Sequence, residues 1–350
     1  MWRCLELARL GGGYTAPNPM VGAVLVYEDR VIGEGYHRIY GVAHAEVNCV
    51  NSVAAEDVPL ISRSTLYVSL EPCAHFGKTP PCADLIIRMR IPKVVVGCRD
   101  PFPQVNGKGI ERLLAAGVAV EVGVLEAECV ELNRRFFTFN TLHRPYIVLK
   151  WAQSANGRIA GALGEGIGER VFISNEYTNR LVHKWRSEEA AILVGTRTAL
   201  ADDPSLTVRL WSGPDPIRLV IDKELTLPAT LRLFDGSVRT IVFNMLKHEE
   251  GRDNLSYYQL ADDSSIVRQI CQALYQLKIQ SVLVEGGARL LQSFIDEGCW
   301  DEARVITNNE LELPGGLAAP VLDQINGGKA LQPISHEFLF SDTIRYYKNL

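Results

Sequence analysis

The residues PCAHFGKTPPC (72–82), read with His44-Ala45-Glu46 upstream, carry one imidazole, two thiols and a carboxylate. His44, Cys73 and Cys82 form a donor set that holds zinc and leaves one tetrahedral corner for water. Water held there has a pKa near 7, so a nucleophile is available at neutral pH. Glu46 then remains as a carboxylate that ligates nothing and carries protons. Positions two apart on a helix point about 200° away from each other, so His44 and Glu46 share a task only where a helix begins. The spacing predicts helices over 44–55 and 82–90, with Pro81 suited to the first turn of the second, and a strand over 65–69 that brings Cys73 to the same place. Both ligand sets then lie near helix N-termini, where thiolate is favoured over thiol.

H-x-E followed by P-C and a further cysteine is the pattern of zinc-dependent deaminases, in which the glutamate moves protons from water to the leaving amine. The competing reading is a structural zinc site closed by a fourth protein ligand. His75 is the nearby candidate for that ligand, but a structural site has no use for Glu46.

At 350 residues and 47% hydrophobic content, the chain is long enough for two domains with full cores. Its first residues, MWRCLELARLGGG, read as a short amphipathic helix, and no apolar run reaches membrane length. The expectation is a cytoplasmic protein without a membrane partner. Eight scattered cysteines do not make a disulfide scaffold, and Cys4, Cys49, Cys98, Cys129, Cys271 and Cys299 read as small apolar residues. A net charge of −5 provides no general attraction to nucleic acid.

The first half reads as a hairpin (21–26 and 31–35), the zinc helix, and then alternating elements: strand 65–69, helix 82–90, strand 93–97, helix 109–116, strand 118–122 and helix 126–137. This is a three-layer α/β unit. A break at 140–145 precedes a new apolar strand over 146–151, which divides the chain into domains 1–143 and 144–350. The second domain is again α/β, with strands near 191–194, 218–222, 240–244, 281–285 and 303–307.

Two segments of the second half draw attention. SVLVEGGARLLQSFIDEG is a strand running through Glu285-Gly286-Gly287 into a helix beginning near Ala288, and its bare turn suits a phosphate. The same glycine pair also reads as plain turn chemistry, and it is not the G-x-G-x-x-G pattern. GTRTALADDPSLTVR (195–209) gathers hydroxyls, Asp202-Asp203 and Arg209, and reads equally as a ligand site or a polar loop.

Resemblance goes further. PNPMVGAVLV (17–26), HAEVNCV (44–50), LEPCAHFGKTPPC (70–82), DPFPQVNGKGI (100–110), RPYIVLKWAQSANGRIA (144–160), ILVGTRTALADDPSLTVR (192–209) and LVEGGA (283–288) occur in one order. Together they resemble the bifunctional deaminase-reductase family of riboflavin biosynthesis over nearly the whole chain. The resemblance implies a cytidine-deaminase-like domain that hydrolyses the 2-amino group of 2,5-diamino-6-(5-phosphoribosylamino)pyrimidin-4(3H)-one. It also implies a dihydrofolate-reductase-like domain in which NADPH reduces the ribosyl group of the product to ribityl. Asn18 is implied to hold the pyrimidine. Lys150, Ser154, Arg186, Asp202, Leu206, Arg209 and Glu285 are implied to line the reductase site, and Thr198, Asp202, Gly286 and Gly287 to lie on the nicotinamide nucleotide. Zn2+ and NADPH are the implied cofactors, a small pyrimidine nucleotide the substrate, and a homo-oligomer formed through the reductase domain the assembly.

The chain departs from the family pattern at Ser154-Ala155-Asn156-Gly157, where Asn156 replaces an aspartate, and at Phe172-Ile173-Ser174. An alternative is therefore a deaminase whose reductase domain is impaired or only binds its ligand. A deaminase acting on RNA bases would need a basic, aromatic surface and would leave the second domain idle. A non-catalytic sensor would have no use for Glu46.

Overall fold

Residues 1–76, 80–161, 171–251, 254–262, 264–322 and 331–349 are described by the structure, a computed structural model. The chain separates into two units, Met1–His143 and Arg144–Leu350. Part of the expected loop between Cys73 and Cys82, residues 77–79, lies outside the described residues.

In the first unit, helix α1 (Trp2–Arg9) precedes a hairpin of β1 (Gly22–Tyr27) and β2 (Arg30–Tyr36). Then come α2 (Ala45–Asn51), a 3₁₀ turn (Ala55–Arg63), β3 (Thr65–Leu70), α3 (Cys82–Arg88), β4 (Lys93–Cys98), α4 (Lys108–Ala115), β5 (Ala119–Val122), α5 (Glu126–Leu132) and α6 (Arg134–Leu142). The sheet order is β2-β1-β3-β4-β5. β1 is antiparallel to β2 and β3, whereas β3, β4 and β5 are parallel. Alternation along the strands separates two apolar faces. Ala23, Leu25, Leu66, Val68, Val94 and Val96 pack with Ala45 and Cys49 of α2, Ala83 and Ile86 of α3, and Leu113 of α4. On the opposite face Val24 packs with Cys4 and Leu7 of α1, while at the ends of β3 and β4 Leu70 and Cys98 pack with Leu5 and Cys129. This is the expected three-layer arrangement.

Two expected helices are shorter than the pattern suggested. The helix expected over 44–55 stops at Asn51 because Ser52 Oγ accepts from Glu34 N on the neighbouring strand and donates to Cys49 O. The helix expected over 126–137 breaks at Asn133, whose side chain is drawn out to accept from Met20 N and donate to Met20 O. A side chain that satisfies distant backbone competes with continuation of the helix.

The second unit contains β6 (Tyr146–Ser154), β7 (Arg158–Ala160), α7 (Glu176–Glu188), β8 (Ala191–Gly195), α8 (Thr196–Asp202), β9 (Ile217–Ile221), β10 (Thr240–Asn244) and β11 (Leu255–Gln259). These are followed by α9 (Ile266–Gln276), β12 (Ser281–Val284), α10 (Ala288–Asp296), β13 (Glu302–Asn308), β14 (Leu317–Ala318), β15 (Ser335–Leu339) and β16 (Asp342–Lys348). Nine strands form the sheet β11-β10-β9-β8-β12-β6-β13-β16-β15. The run from β11 to β13 is parallel, and β16 and β15 add antiparallel pairings at one edge. Apolar clusters cover both faces. Ile270 and Leu274 of α9 and Leu291 and Phe294 of α10 cover one, while Val182 and Trp185 of α7 and Ala199 of α8 cover the other.

This order positions a site. The chain leaves β8 through α8 toward β9, whereas it leaves the adjacent β12 through α10 toward β13 on the opposite side. Where neighbouring connections depart in opposite directions, a crevice opens beyond the carboxyl ends of the strands. Gly195 ends β8, and Glu285-Gly286-Gly287 follows β12.

Candidate active sites

His44 is the N-cap of α2, Cys82 is the first residue of α3, and Cys73 lies just beyond β3. Their donor atoms converge. His44 Nδ1 lies 3.5 Å from Cys73 Sγ and 3.3 Å from Cys82 Sγ, and all three ligand atoms are within 4.8 Å of one another. A tetrahedral zinc ion with ordinary bond lengths places nitrogen and sulfur about 3.5 Å apart, so the set fits. Cys82 N also donates to Cys73 Sγ at 3.3 Å. Contact with the Cys82 thiol, helped by His44, holds the Cys73 thiol down at about 4 against the opposing effect of burial. The same contact pushes Cys82 up. The contact between the two sulfurs therefore favours the thiolate on Cys73. Among the described residues the cluster has three members, and His75 is not one of them. The fourth ligand needed for a closed structural site is not supplied by His75.

Glu46, in the first turn of α2, is buried at 3% exposure. Burial raises its pKa, and the negative charge of Cys73 raises it further. Asn18 sits beside a histidine that the sequence reading passed over. His37 Nδ1 lies 3.1 Å from Ala43 O, so that nitrogen carries the proton and donates. His37 Nε2 is then the acceptor for Asn18 Nδ2 at 3.2 Å, which fixes the Asn18 amide and leaves its oxygen for another donor. The His37 and His44 rings meet edge to face, with centroids 5.4 Å apart. The Gly35-Tyr36-His37 strand end was the only local signal.

A second unforeseen residue is Glu71, which is buried and accepts from the backbone N–H groups of Asp100, Gly107, Gly109 and Ile110. It ties the loop after β4 to the segment carrying Cys73. A Cβ on Gly109 would overlap the Pro72 carbonyl oxygen, so this approach requires glycine. Asp100 is buried in the same region, and its carboxyl is pushed up to about 7 by burial, with the Glu71 and Cys73 charges adding to the shift.

In the second unit, Arg186 from α7 makes a two-pronged pair with Glu285 at 2.8 and 2.7 Å, and Lys150 Nζ stands 3.9 Å from the same carboxylate. The Arg186 and Glu285 side chains are 12% and 6% exposed. Burial alone would raise the pKa of Glu285, but Arg186 and Lys150 overcome this and hold it at about 2. Arg186 Nη1 also donates to Thr207 O at 3.2 Å. Its fork is thus taken up within the protein. Arg209 is exposed, and its Nη1 donates to Thr207 Oγ1 at 2.8 Å. Leu206, buried at φ 53°, begins this short loop. His183, three residues before Arg186 on α7, accepts from Arg209 N at 3.0 Å, which brings the end of the loop to this charged group.

Thr198 meets the glycine turn. A Cβ on Gly286 would stand 2.8 Å from Thr198 Cγ2, and Gly287 has φ 80°. Asp202 is exposed at the last residue of α8. Ser154 is fully buried, and its hydroxyl donates to Asn156 Oδ1 at 2.6 Å and accepts from Arg158 N at 3.0 Å. Its hydroxyl therefore serves its own turn.

Residues 1–98 match the "Cytidine and deoxycytidylate deaminase zinc-binding region" and residues 145–311 the "RibD C-terminal domain". The chain is 41% identical to the riboflavin biosynthesis protein RibD of Aquifex aeolicus over 301 residues, covering 85% of this chain and 82% of that one. It is likewise 41% identical over 319 residues to RibD of Escherichia coli, covering 86% and 84%. The chain belongs to the RibD family of riboflavin biosynthesis proteins. Among solved structures, it is similar to the diaminohydroxyphosphoribosylaminopyrimidine deaminase/5-amino-6-(5-phosphoribosylamino)uracil reductase of Thermotoga maritima. That match has a TM-score of 0.88 at 36% identity and covers 100% of this chain and 97% of the other. As a RibD family member it is a bifunctional deaminase and reductase that uses zinc and NADPH.

The residues present fit both cofactors. Two cysteines and a histidine at matching separations suit zinc. The strand-to-helix turn at Gly286-Gly287 is a cradle that a Cβ would fill, with a threonine hydroxyl beside it, and it suits a dinucleotide phosphate. Asn156 is tied into its turn in this RibD family chain. Its Nδ2 donates to Leu313 O at 2.9 Å while its Oδ1 accepts from Leu313 N at 3.3 Å and from Ser154. An aspartate could not make the donated bond, so the amide closes this turn more completely.

Proposed function

We propose that the first unit deaminates 2,5-diamino-6-(5-phosphoribosylamino)pyrimidin-4(3H)-one and that the second reduces the ribosyl group of the product to ribityl. The observation that carries this reading is the cluster of His44, Cys73 and Cys82 with the buried Glu46 in the same first turn. Zinc, held by those three residues, supplies a water acidic enough to attack carbon near neutral pH. Glu46 takes a proton from the attacking water and passes it to the departing amine, and its raised pKa suits a group that must both accept and donate. Asn18, held by His37, offers its oxygen to an N–H of the pyrimidine.

In the second unit NADPH supplies the hydride, and the protein aligns the two partners. Thr198 and the Gly286-Gly287 turn hold the nucleotide, with Asp202 at the exposed end of α8 beside it. Lys150 and Glu285 face the sugar. Arg186 braces Glu285, and Arg209 takes the substrate phosphate, since Arg209 is an exposed residue whereas the Arg186 side chain is buried against Glu285. Leu206 and Ser154 shape the walls. The protein works in the cytoplasm as a homo-oligomer assembled through the second unit, without nucleic acid. No helix of the described residues is long and apolar enough to cross a membrane.

Purified zinc-loaded protein given the diaminopyrimidine nucleotide should release ammonia without NADPH, and should oxidise NADPH when given the deaminated nucleotide. Ammonia release without any NADPH oxidation from that second compound would sink the reductase half of the proposal.

A further inference from the structure

We propose that His183 is a positioning residue for substrate phosphate binding in the reductase unit, holding the backbone of Arg209 so that its guanidinium is presented to the phosphate. The inference rests on the reading of Arg209 as the phosphate ligand.

The loop 206–209 has no regular structure of its own, yet three of its four residues have backbone groups tied to side chains elsewhere. Thr207 O accepts from Arg186 Nη1 at 3.2 Å, Val208 N donates to Asp215 Oδ1 at 2.6 Å, and Arg209 N donates to His183 Nδ1 at 3.0 Å. His183 and Arg186 stand three apart on α7 and so lie on one face, reaching consecutive peptide groups of the loop. Because Nδ1 is the acceptor, the imidazole is neutral and its proton sits on Nε2. The surroundings favour that state. Burial, with Arg186, Arg209 and Lys150 nearby, holds the His183 pKa at about 4, although Glu285 opposes the shift. The residue is itself only 2% exposed. A neutral acceptor has a reason to be there: a cationic side chain would add to three neighbouring cations and could not receive the Arg209 N–H. With that bond broken, the loop loses the backbone anchor at the residue from which the Arg209 side chain departs.

The test uses the full-length, zinc-loaded enzyme with three substitutions. His183→Leu removes the acceptor while keeping bulk, His183→Asn keeps an acceptor oxygen at the position of Nδ1, and Arg209→Gln tests the phosphate reading separately. NADPH oxidation is followed with the deaminated nucleotide and with its dephosphorylated nucleoside. His183→Leu should raise KM for the phosphorylated compound about tenfold, as expected for one backbone hydrogen bond, with kcat within about threefold. KM for the nucleoside should stay put, and His183→Asn should remain within about threefold of wild type throughout. Three results overturn the inference, provided Arg209→Gln raises KM: an unchanged KM in His183→Leu, a kcat loss as large as the KM change, or a His183→Asn variant that behaves like Arg209→Gln. If His183→Leu does not fold, the His183→Asn measurement alone decides. An Arg209→Gln variant with wild-type KM refutes the phosphate reading itself and leaves no task for His183 in it.

Discussion

Replacing Arg186 by glutamine should expose how much of the second unit depends on one buried ion pair. The substitution removes both hydrogen bonds to Glu285, at 2.8 and 2.7 Å, and leaves a buried carboxylate with Lys150 at 3.9 Å as its remaining cation. Breaking a buried pair by removing one partner costs about 3–5 kcal/mol, and the remaining lysine argues for the lower end, about 3 kcal/mol. In a unit of this size that corresponds to a fall of roughly 6–12 °C in the unfolding midpoint. Trp151, Trp185, Trp211 and Trp300 all lie in the second unit, so tryptophan fluorescence during urea titration reports mainly on it. The pH dependence has a definite sign. Glu285 is held at about 2, below its ordinary 4.5. The stability it contributes is therefore complete above about pH 4.5 and is lost as pH falls toward about 2. The variant lacks most of that contribution, so the gap between variant and wild type should be widest at neutral pH and should narrow across this window. A neutral-pH loss under about 0.5 kcal/mol, or a gap that holds constant on acidification, would refute the reasoning.

Gly286→Val should raise KM for NADPH at least tenfold without altering ammonia release, because the new side chain is forced into Thr198, 2.8 Å from the Cβ position; saturation curves for both activities check this. Gly109→Ala should destabilise the first unit by about 2 kcal/mol or more and weaken zinc retention, since its methyl group meets the Pro72 carbonyl beside Cys73; thermal unfolding and metal analysis report the two effects.

The metal cluster was visible in sequence because its chemistry demands particular atoms in a particular order, and no folding detail intervenes between H-x-E and a helix start. The parallel strands were visible as short apolar runs. What escaped notice depended on partners far away in the chain. His37 and His183 are single histidines whose acceptor nitrogens matter only because Asn18 and the Arg209 N–H arrive beside them. Glu71 stands as a lone polar residue at a strand end, but it collects four N–H groups from the loop and the start of α4, 29 to 39 residues later. The break at Asn133 was hidden because the pull comes from Met20. β15, with its mostly exposed SHEFL, has no apolar run to announce it and is held by pairing with β16. At Asn156 the motif comparison registers only a missing charge, whereas the structure adds a bond from its amide that a carboxylate could not make.

Glu46→Gln, examined in the zinc-loaded full-length protein, tests the central claim most directly. The amide fills the same space but cannot take a proton from the attacking water. Zinc content should stay at about one ion per chain. Ammonia release from the diaminopyrimidine nucleotide should fall about 10²- to 10⁴-fold. NADPH oxidation with the deaminated nucleotide should stay within about twofold of wild type. Deamination at the wild-type rate with zinc retained would contradict the account, because the carboxylate at the heart of the cluster would then carry no proton.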